Sequence, residues 1–310
     1  MSENSNPEAK TRAALLLNEL ASRGIRGSDP SDWLGMQMGT PQPLFQNTDI
    51  LLSPSALETF AESPLDWFVS AVAGGESGIH ASVGNLVHSS LQTHPAGTFT
   101  EIENAVLENW DGLGLDVPWI NQMWRNKVNG ILTGMVNYLR RSEAAGRTHL
   151  YVEKKIEMDL PIPGSKHKVL LSGRVDRIEQ TDSGEIVIID FKTGKTPQGI
   201  TKNISENLQL KSYQLAFQLG KIDQVDSGSN KLQHASLVYS RPQIKDTYTE
   251  YVQAGFSEAE LLEFEQYLLA VAEEMNSAAF TGPAETKDNF GGGVDLKKQL
   301  FRTPEVSSDE

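Results

Sequence analysis

Apolar residues recur at helical spacing through most of the first half of the chain. Ser53-Pro54 supplies a side-chain cap and a proline suited to a first turn, and Leu57, Phe60, Ala61, Leu65 and Phe68 follow on one face. A helix should open there, with a break or kink near Pro64. The same spacing predicts helices over about 81–92, 102–110 and 119–144. Ahead of them, 7–23 is helix-forming, and 24–49, rich in Gly, Pro, Ser and Asp, reads as an irregular connector. At Leu150 the pattern changes. YVEKKIEMDLP, HKVLLSGRVDRIEQ and EIVIIDFKT are β-branched runs separated by the turn-forming PIPGSK and TDSGE, which predicts three consecutive antiparallel strands. A helix over about 206–219, the strand-like ASLVYS and DTYTEYV, and a long helix complete the pattern. Ser257 and Glu260 form a capping box ahead of Leu261, Leu262, Phe264, Leu268 and Leu269 in that last helix. The tail beyond Gly282, with three glycines at 291–293 and an acidic end, is expected to be poorly ordered. The expected division is therefore 1–48 (helix and connector), 49–282 (the folded domain) and 283–310 (tail).

The hairpin GRVDRIEQTDSGEIVIIDFKTGK carries the sharpest chemical signal. If Asp182, Ser183 and Gly184 form the loop, with the glycine left-handed, Thr181 faces Glu185 and paired residue numbers sum to 366. Asp176 then lies opposite Asp190, and side chains so paired have Cβ atoms roughly 4.5–5.5 Å apart. Two carboxylates that close repel unless a cation joins them. Lys192, two residues beyond Asp190, projects from the same face. The combination suits phosphodiester hydrolysis, which needs a metal to activate water and further positive charge for the transition state. A solvated hairpin with cross-strand ion pairs is the alternative. Asp190 argues against it, because it ends the apolar run Ile186-Val187-Ile188-Ile189, where a lone carboxylate would be costly.

Composition narrows the chemistry further. With 38% hydrophobic residues, the 310-residue chain can bury a substantial core. It has no cysteine, so disulfides, thiolate zinc sites and iron–sulfur clusters are excluded and any metal must be held by oxygen and imidazole, which favours magnesium or manganese. No leader-like or membrane-length apolar stretch stands out, so a cytoplasmic protein with no membrane association is expected. The net charge of −14 argues against broad nonspecific attraction to nucleic acid. Basic residues nevertheless gather between 140 and 202, among them Arg140, Arg141, Arg147, Arg174, Arg177, Lys192, Lys195 and Lys202. For many of these a solvated face is the plain reading.

These residues resemble the RecB-like nucleases of the PD-(D/E)xK superfamily, a group that includes CRISPR-associated exonucleases and the nuclease parts of helicase–nuclease end-processing machines. The resemblance runs over most of 51–280, through LSPSALETFAESPLDWF, VGNLVH, GRVDRIE, IIDFKTGK and LQLKSYQLA in the family order. It implies a restriction-endonuclease-like α/β core, a central mixed sheet flanked by helices, preceded here by a helical section. It also implies a magnesium- or manganese-dependent deoxyribonuclease acting on single-stranded DNA or single-stranded ends in repair or recombination. By resemblance His88, Asp176, Asp190 and the carbonyl of Phe191 hold the metal, Lys192 is the catalytic lysine, and Glu153 supports the site. Gln209 and Tyr213, four apart on one helical face, orient the site or contact DNA, and Arg174 and Lys195 are expected at the substrate. From the residues alone, His88 could equally be a core histidine, Glu153 a surface charge and Tyr213 a packing residue.

The chain departs from the family in one respect. Many relatives carry four cysteines that tie the C-terminus to the first helix; here Ser63 takes the first place and no cysteine follows. That end is expected to be looser. The segment SRGIRGSDPSDWLGM resembles the connector before the nuclease domain of actinobacterial helicase–nucleases, yet no G-x-x-x-x-G-K-[ST] motif is present, so a helicase would be a separate partner. The competing expectation is an inactive DNA-binding or assembly module derived from such a nuclease.

Overall fold

The computed structural model describes residues 7–29, 42–45, 48–71, 78–164, 166–197, 199–240, 247–277 and 280. The expected tail, 283–310, lies outside the described residues, as does most of the 24–49 connector. The chain divides into two compact units, Met1–Gln46 with Ser277–Ala279, and Asn47–Asn276 with Phe280–Glu310. In the first, helix α1 spans Pro7–Ser22.

In the second unit a short strand β1 (Ile50–Leu52) leads into helices α2 (Pro54–Glu62), α3 (Pro64–Ala71), α4 (Ile79–Thr93), α5 (Phe99–Glu108) and α6 (Pro118–Ala144). Strands β2 (Arg147–Pro161), β3 (Lys168–Thr181) and β4 (Ile186–Lys192) follow, then α7 (Ile200–Asn203), α8 (Leu208–Gln218), β5 (Leu232–Tyr239), β6 (Thr249–Ala254) and α9 (Glu258–Met275). The caps form as the sequence predicts. Ser53 accepts from the Ala56 N–H, and Ser257 and Glu260 complete their box. Pro64 does more than kink its helix: Ser63 leaves the helical region at φ −159° and separates α2 from α3. Strand β1 has only three residues, too few to show a period in the sequence.

The six strands form one mixed sheet. Strand β3 is its spine. Antiparallel β2 pairs with β3 along its whole length, from Arg147↔Thr181 to Pro161↔Lys168. A strand has two edges, so β1 and β4 must share the other one. Parallel β1 takes Val169–Leu171 and antiparallel β4 takes Arg177–Gln180. Between them Ser172–Asp176 has no strand partner on that edge among the described residues, and the sheet splits there. Gly173 stands in the split because Pro54 of α2 crosses it: an added Cβ would lie 2.8 Å from the proline Cδ. On the far side of β4, parallel β5 pairs with it and antiparallel β6 closes the sheet.

Helices cover both faces, which is why β4 is buried along nearly its entire length. Val187, Ile189 and Phe191 face the α4–α6 layer and pack with Val87, Leu91, Ile102, Leu132, Met135 and Tyr138. The alternate residue Asp190 faces α8. Inside the α6 side lies a fully buried carboxylate, Glu179. It accepts from Arg177 Nε (2.6 Å), Ser142 Oγ (2.6 Å) and Tyr138 OH (3.0 Å), and Arg147 lies 4.0 Å away. Glu179→Ala leaves Arg177 buried and without its carboxylate, and is expected to cost about 3–5 kcal/mol. Urea unfolding measures this, and a loss under about 1 kcal/mol would show the network to be dispensable.

At its far end the second unit closes on aromatic contacts. Phe280 stacks on Phe68 with centroids 4.9 Å apart, and meets Trp67 edge-on at 5.6 Å. Trp67 and Phe68 belong to α3, directly after Ser63. Apolar packing thus ties Phe280 to α3, while the end expected to be looser, beyond Phe280, lies outside the described residues.

Candidate active site

The split in the sheet gathers polar groups from six elements. The hairpin register is the one read from the sequence: Arg177↔Ile189, Ile178↔Ile188, Glu179↔Val187 and Gln180↔Ile186 all sum to 366, and Gly184 has φ +86°. The ladder ends one pair short of Asp176 and Asp190. At that point the side chain of Asp176 replaces a backbone partner, its Oδ2 accepting from the Phe191 N–H at 2.7 Å. The carboxylate is thereby fixed against the strand that carries the second one.

Asp190 is 2% exposed. Its Oδ1 accepts from Gln209 Nε2 (2.7 Å) and Tyr213 OH (3.1 Å), side chains one turn apart on α8. Its Oδ2 lies 2.8 Å from Lys192 Nζ, close enough for an ion pair, yet this buried oxygen has no hydrogen bond among the described residues. Lys192 donates to Gln209 Oε1, so one amide bridges the lysine and the carboxylate. Burial disfavours the charge on Lys192, but Asp190 and Glu58 outweigh it and raise its pKa above the ordinary value. Burial, with Asp190 next, also drives the Tyr213 phenol well above its usual range. Tyr213 therefore remains a hydrogen-bond donor.

On the other side of the split, α4 brings His88 to Asp176. Its Nδ1 lies 3.5 Å from Asp176 Oδ2 and 3.8 Å from Glu153 Oε1. One donor atom from each of these three residues lies within 4.8 Å of the other two. Burial opposes a charged imidazole, but the carboxylates prevail and push the His88 pKa up to about 10. The same crowding raises Asp176, through burial first and the Asp190 charge second, despite the pull of His88. Glu153 reaches the cluster by an unusual route. Within a long strand its backbone turns left-handed, φ +51°, a conformation that costs a non-glycine residue about 1–3 kcal/mol.

The donor chemistry fits a hard divalent cation. Two carboxylates and an imidazole converge, and Asp190 adds a buried oxygen whose one described partner is the Lys192 ammonium. Phe191 lines the same crevice, with its ring in the core and its backbone beside Asp176. The structure thus brings His88, Glu153, Asp176, Asp190, Phe191, Lys192, Gln209 and Tyr213 together. It leaves Arg174 and Lys195 exposed at the margins, with no hydrogen bond or ion pair to the cluster among the described residues.

Sequence reasoning missed Glu58. This α2 carboxylate accepts from Asn207 Nδ2 and from the Gln209 N–H (3.5 Å) at the start of α8, and its charge is felt at Lys192 and Asp190. Burial raises its pKa above the ordinary 4.5. A carboxyl raised in the folded state penalises folding above that pKa and ceases to do so as the pH falls through it. Glu58→Gln keeps an acceptor for both donors, so it is expected to raise the thermal midpoint at pH 7, with the gain fading at acid pH. Scanning calorimetry across that range tests this, and a variant less stable at pH 7 contradicts it.

Comparison with known proteins adds a family. The model described as the PD-(D/E)XK nuclease superfamily matches residues 51–288. No curated protein matches the chain. Among solved structures, that of SSO0001 is similar at 16% identity over 63% of this chain and 85% of that one, with a TM-score of 0.30.

Proposed function

Since the chain belongs to the PD-(D/E)XK nuclease superfamily, we propose that it is a magnesium- or manganese-dependent deoxyribonuclease that cuts single-stranded DNA or single-stranded ends. One observation carries this reading: Asp176, Asp190 and Lys192 converge at the split of the sheet, with His88 and Glu153 alongside. His88, Glu153, Asp176, Asp190 and the Phe191 carbonyl would hold the metal. A divalent cation there supplies Lewis acidity and neutralises charge on the phosphodiester oxygens. Lys192 would orient or deprotonate the attacking water and contact the phosphate. Gln209 and Tyr213 keep Asp190 and Lys192 in place. Arg174 and Lys195, both exposed, would contact the phosphates of the strand.

The ordered motifs favour a RecB-like enzyme of DNA repair or recombination, and the connector resembling that of actinobacterial helicase–nucleases favours a helicase acting in trans. The nuclease domain would occupy 49–282, between the connector and the tail. No iron–sulfur cluster belongs to the proposal, because the chain has no cysteine to bind one. Among the described residues no helix is long and apolar enough to cross a membrane.

End-labelled single-stranded DNA, duplex DNA and RNA, each incubated with manganese, magnesium or EDTA, test the proposal. Cleavage of single-stranded DNA that requires metal and disappears in Asp176→Asn is expected. DNA binding without metal-dependent cutting would instead favour an inactive module.

A further inference from the structure

The net charge of −14 hides a basic cleft. It lies beside the metal-ligand candidates, between the last turns of α6, the turn after α4 and the start of β2, and has a volume of about 250 Å³. Arg140, Arg147 and Arg177 come to it from three elements, with His149; among the described residues of its lining Glu143 alone is acidic. The basic run noted in the sequence is here folded into a concave surface. Arg177 links the cleft to the active site, since it also lines the crevice of His88, Glu153 and Asp176.

The cleft is built rather than incidental. Arg177 donates from Nε to Glu179 (2.6 Å) and from Nη1 to the Pro95 carbonyl (2.6 Å), which fixes its plane; Nη2 makes no hydrogen bond among the described residues. Arg147 is anchored to Glu250 at 3.3 Å. Neither Glu179 nor Glu250 lines the cleft, while Arg140 is exposed on the α6 wall. His149 senses the resulting field: burial first, then the Arg177 charge, lowers its pKa. Preorganised guanidinium groups with free N–H donors match phosphate oxygens.

We infer that this cleft binds a phosphate group of the nucleic-acid strand flanking the scissile bond, with Arg140 and Arg177 as its donors. The inference rests on the nuclease reading for its substrate, but binding can be measured without cleavage. Arg140→Glu is the informative variant, because the residue is exposed and outside the buried network. Lys231→Glu, the same charge change on a lysine whose side chain is 83% exposed and does not line the cleft, is the control.

Fluorescence anisotropy with a labelled single-stranded oligonucleotide in EDTA gives the dissociation constant across a salt series. Arg140→Glu should weaken binding roughly tenfold, as expected for one charge-assisted contact. It should also reduce the slope of log K against log salt by about 0.7, the value for one phosphate on a single strand. Lys231→Glu should remain within about twofold of the parent. Oligonucleotides with 5′-phosphate, 3′-phosphate or hydroxyl ends identify the phosphate: a penalty confined to one phosphorylated end means a terminal group, and an equal penalty on all three means an internal one. Equal behaviour of Arg140→Glu and Lys231→Glu, or a parent that does not bind the oligonucleotide, overturns the inference. Cleavage by the parent in manganese is scored separately, so failure of the nuclease reading and failure of the cleft give different results.

Discussion

Lys192→Ala is expected to reduce single-stranded DNA cleavage by about 10²–10³-fold, the usual effect of removing one preorganised charge donor. Metal binding should persist, because the proposed ligands remain. Stability should fall as well. Asp190 is almost wholly buried, and Lys192 is its only ion-pair partner among the described residues. Removing one member of a buried pair costs about 3–5 kcal/mol, chiefly from the charge left behind. Adding Asp190→Asn should therefore restore much of the lost stability and none of the activity, since the asparagine can keep its contacts with Gln209 and Tyr213. Urea unfolding and cleavage assays on the parent, both single variants and the double variant complete the cycle. Additive losses of stability would mean that the two side chains do not depend on each other.

Glu153→Gly should separate stability from function in the opposite direction. The left-handed backbone at Glu153 suits glycine and burdens a glutamate by about 1–3 kcal/mol. The substitution also removes a carboxylate that lies near both Asp176 and His88, so the repulsion relieved and the attraction lost oppose each other. Glycine's greater freedom in the unfolded chain returns roughly 0.5–1 kcal/mol of that gain. The expected net is a stabilisation of about 1 kcal/mol, or roughly 2–4 °C in thermal midpoint for a domain of this size, in metal-free buffer. Activity should fall about a hundredfold and manganese affinity should weaken. Glu153→Ala isolates the cause, because it loses the carboxylate and keeps the strain. If alanine proves more stable than glycine at this position, the strain account is wrong.

Different parts of this site were legible for different reasons. The hairpin was readable because a three-residue turn fixes register, and register fixes which side chains meet; Asp176, Asp190 and Lys192 followed from one glycine at 184. Gln209 and Tyr213 were named by the resemblance, and helical spacing made readable only that they share a face. Their common partner was not readable, because spacing identifies a face without naming what lies across from it. His88 depended on the resemblance, since a histidine among Leu86, Val87 and Leu91 has the pattern of a core residue. Glu153 and Glu58 show two further limits. Strand periodicity gives no sign of a left-handed residue, and a glutamate on α2 looks like any other until α8 arrives from 149 residues away. Arg174 and Lys195 satisfied the charge pattern and stayed at the margins. The buried Glu179 network was invisible for the same reason as Glu58, its partners being distant in sequence.

The shared edge of β3 makes Ser172–Asp176 a gauge. One edge of this stretch is held by β2 and the other carries no strand among the described residues, and its length sets the separation between the part of the molecule that presents Glu58 and the part that presents Asp190. Changing its length by one would force a bulge against β2 and shift Glu153 and the Glu58 side of the split relative to Asp176, while every β3–β4 pair beyond it remained intact. Such a variant would be well folded by most spectroscopic criteria and yet have its reacting groups out of step.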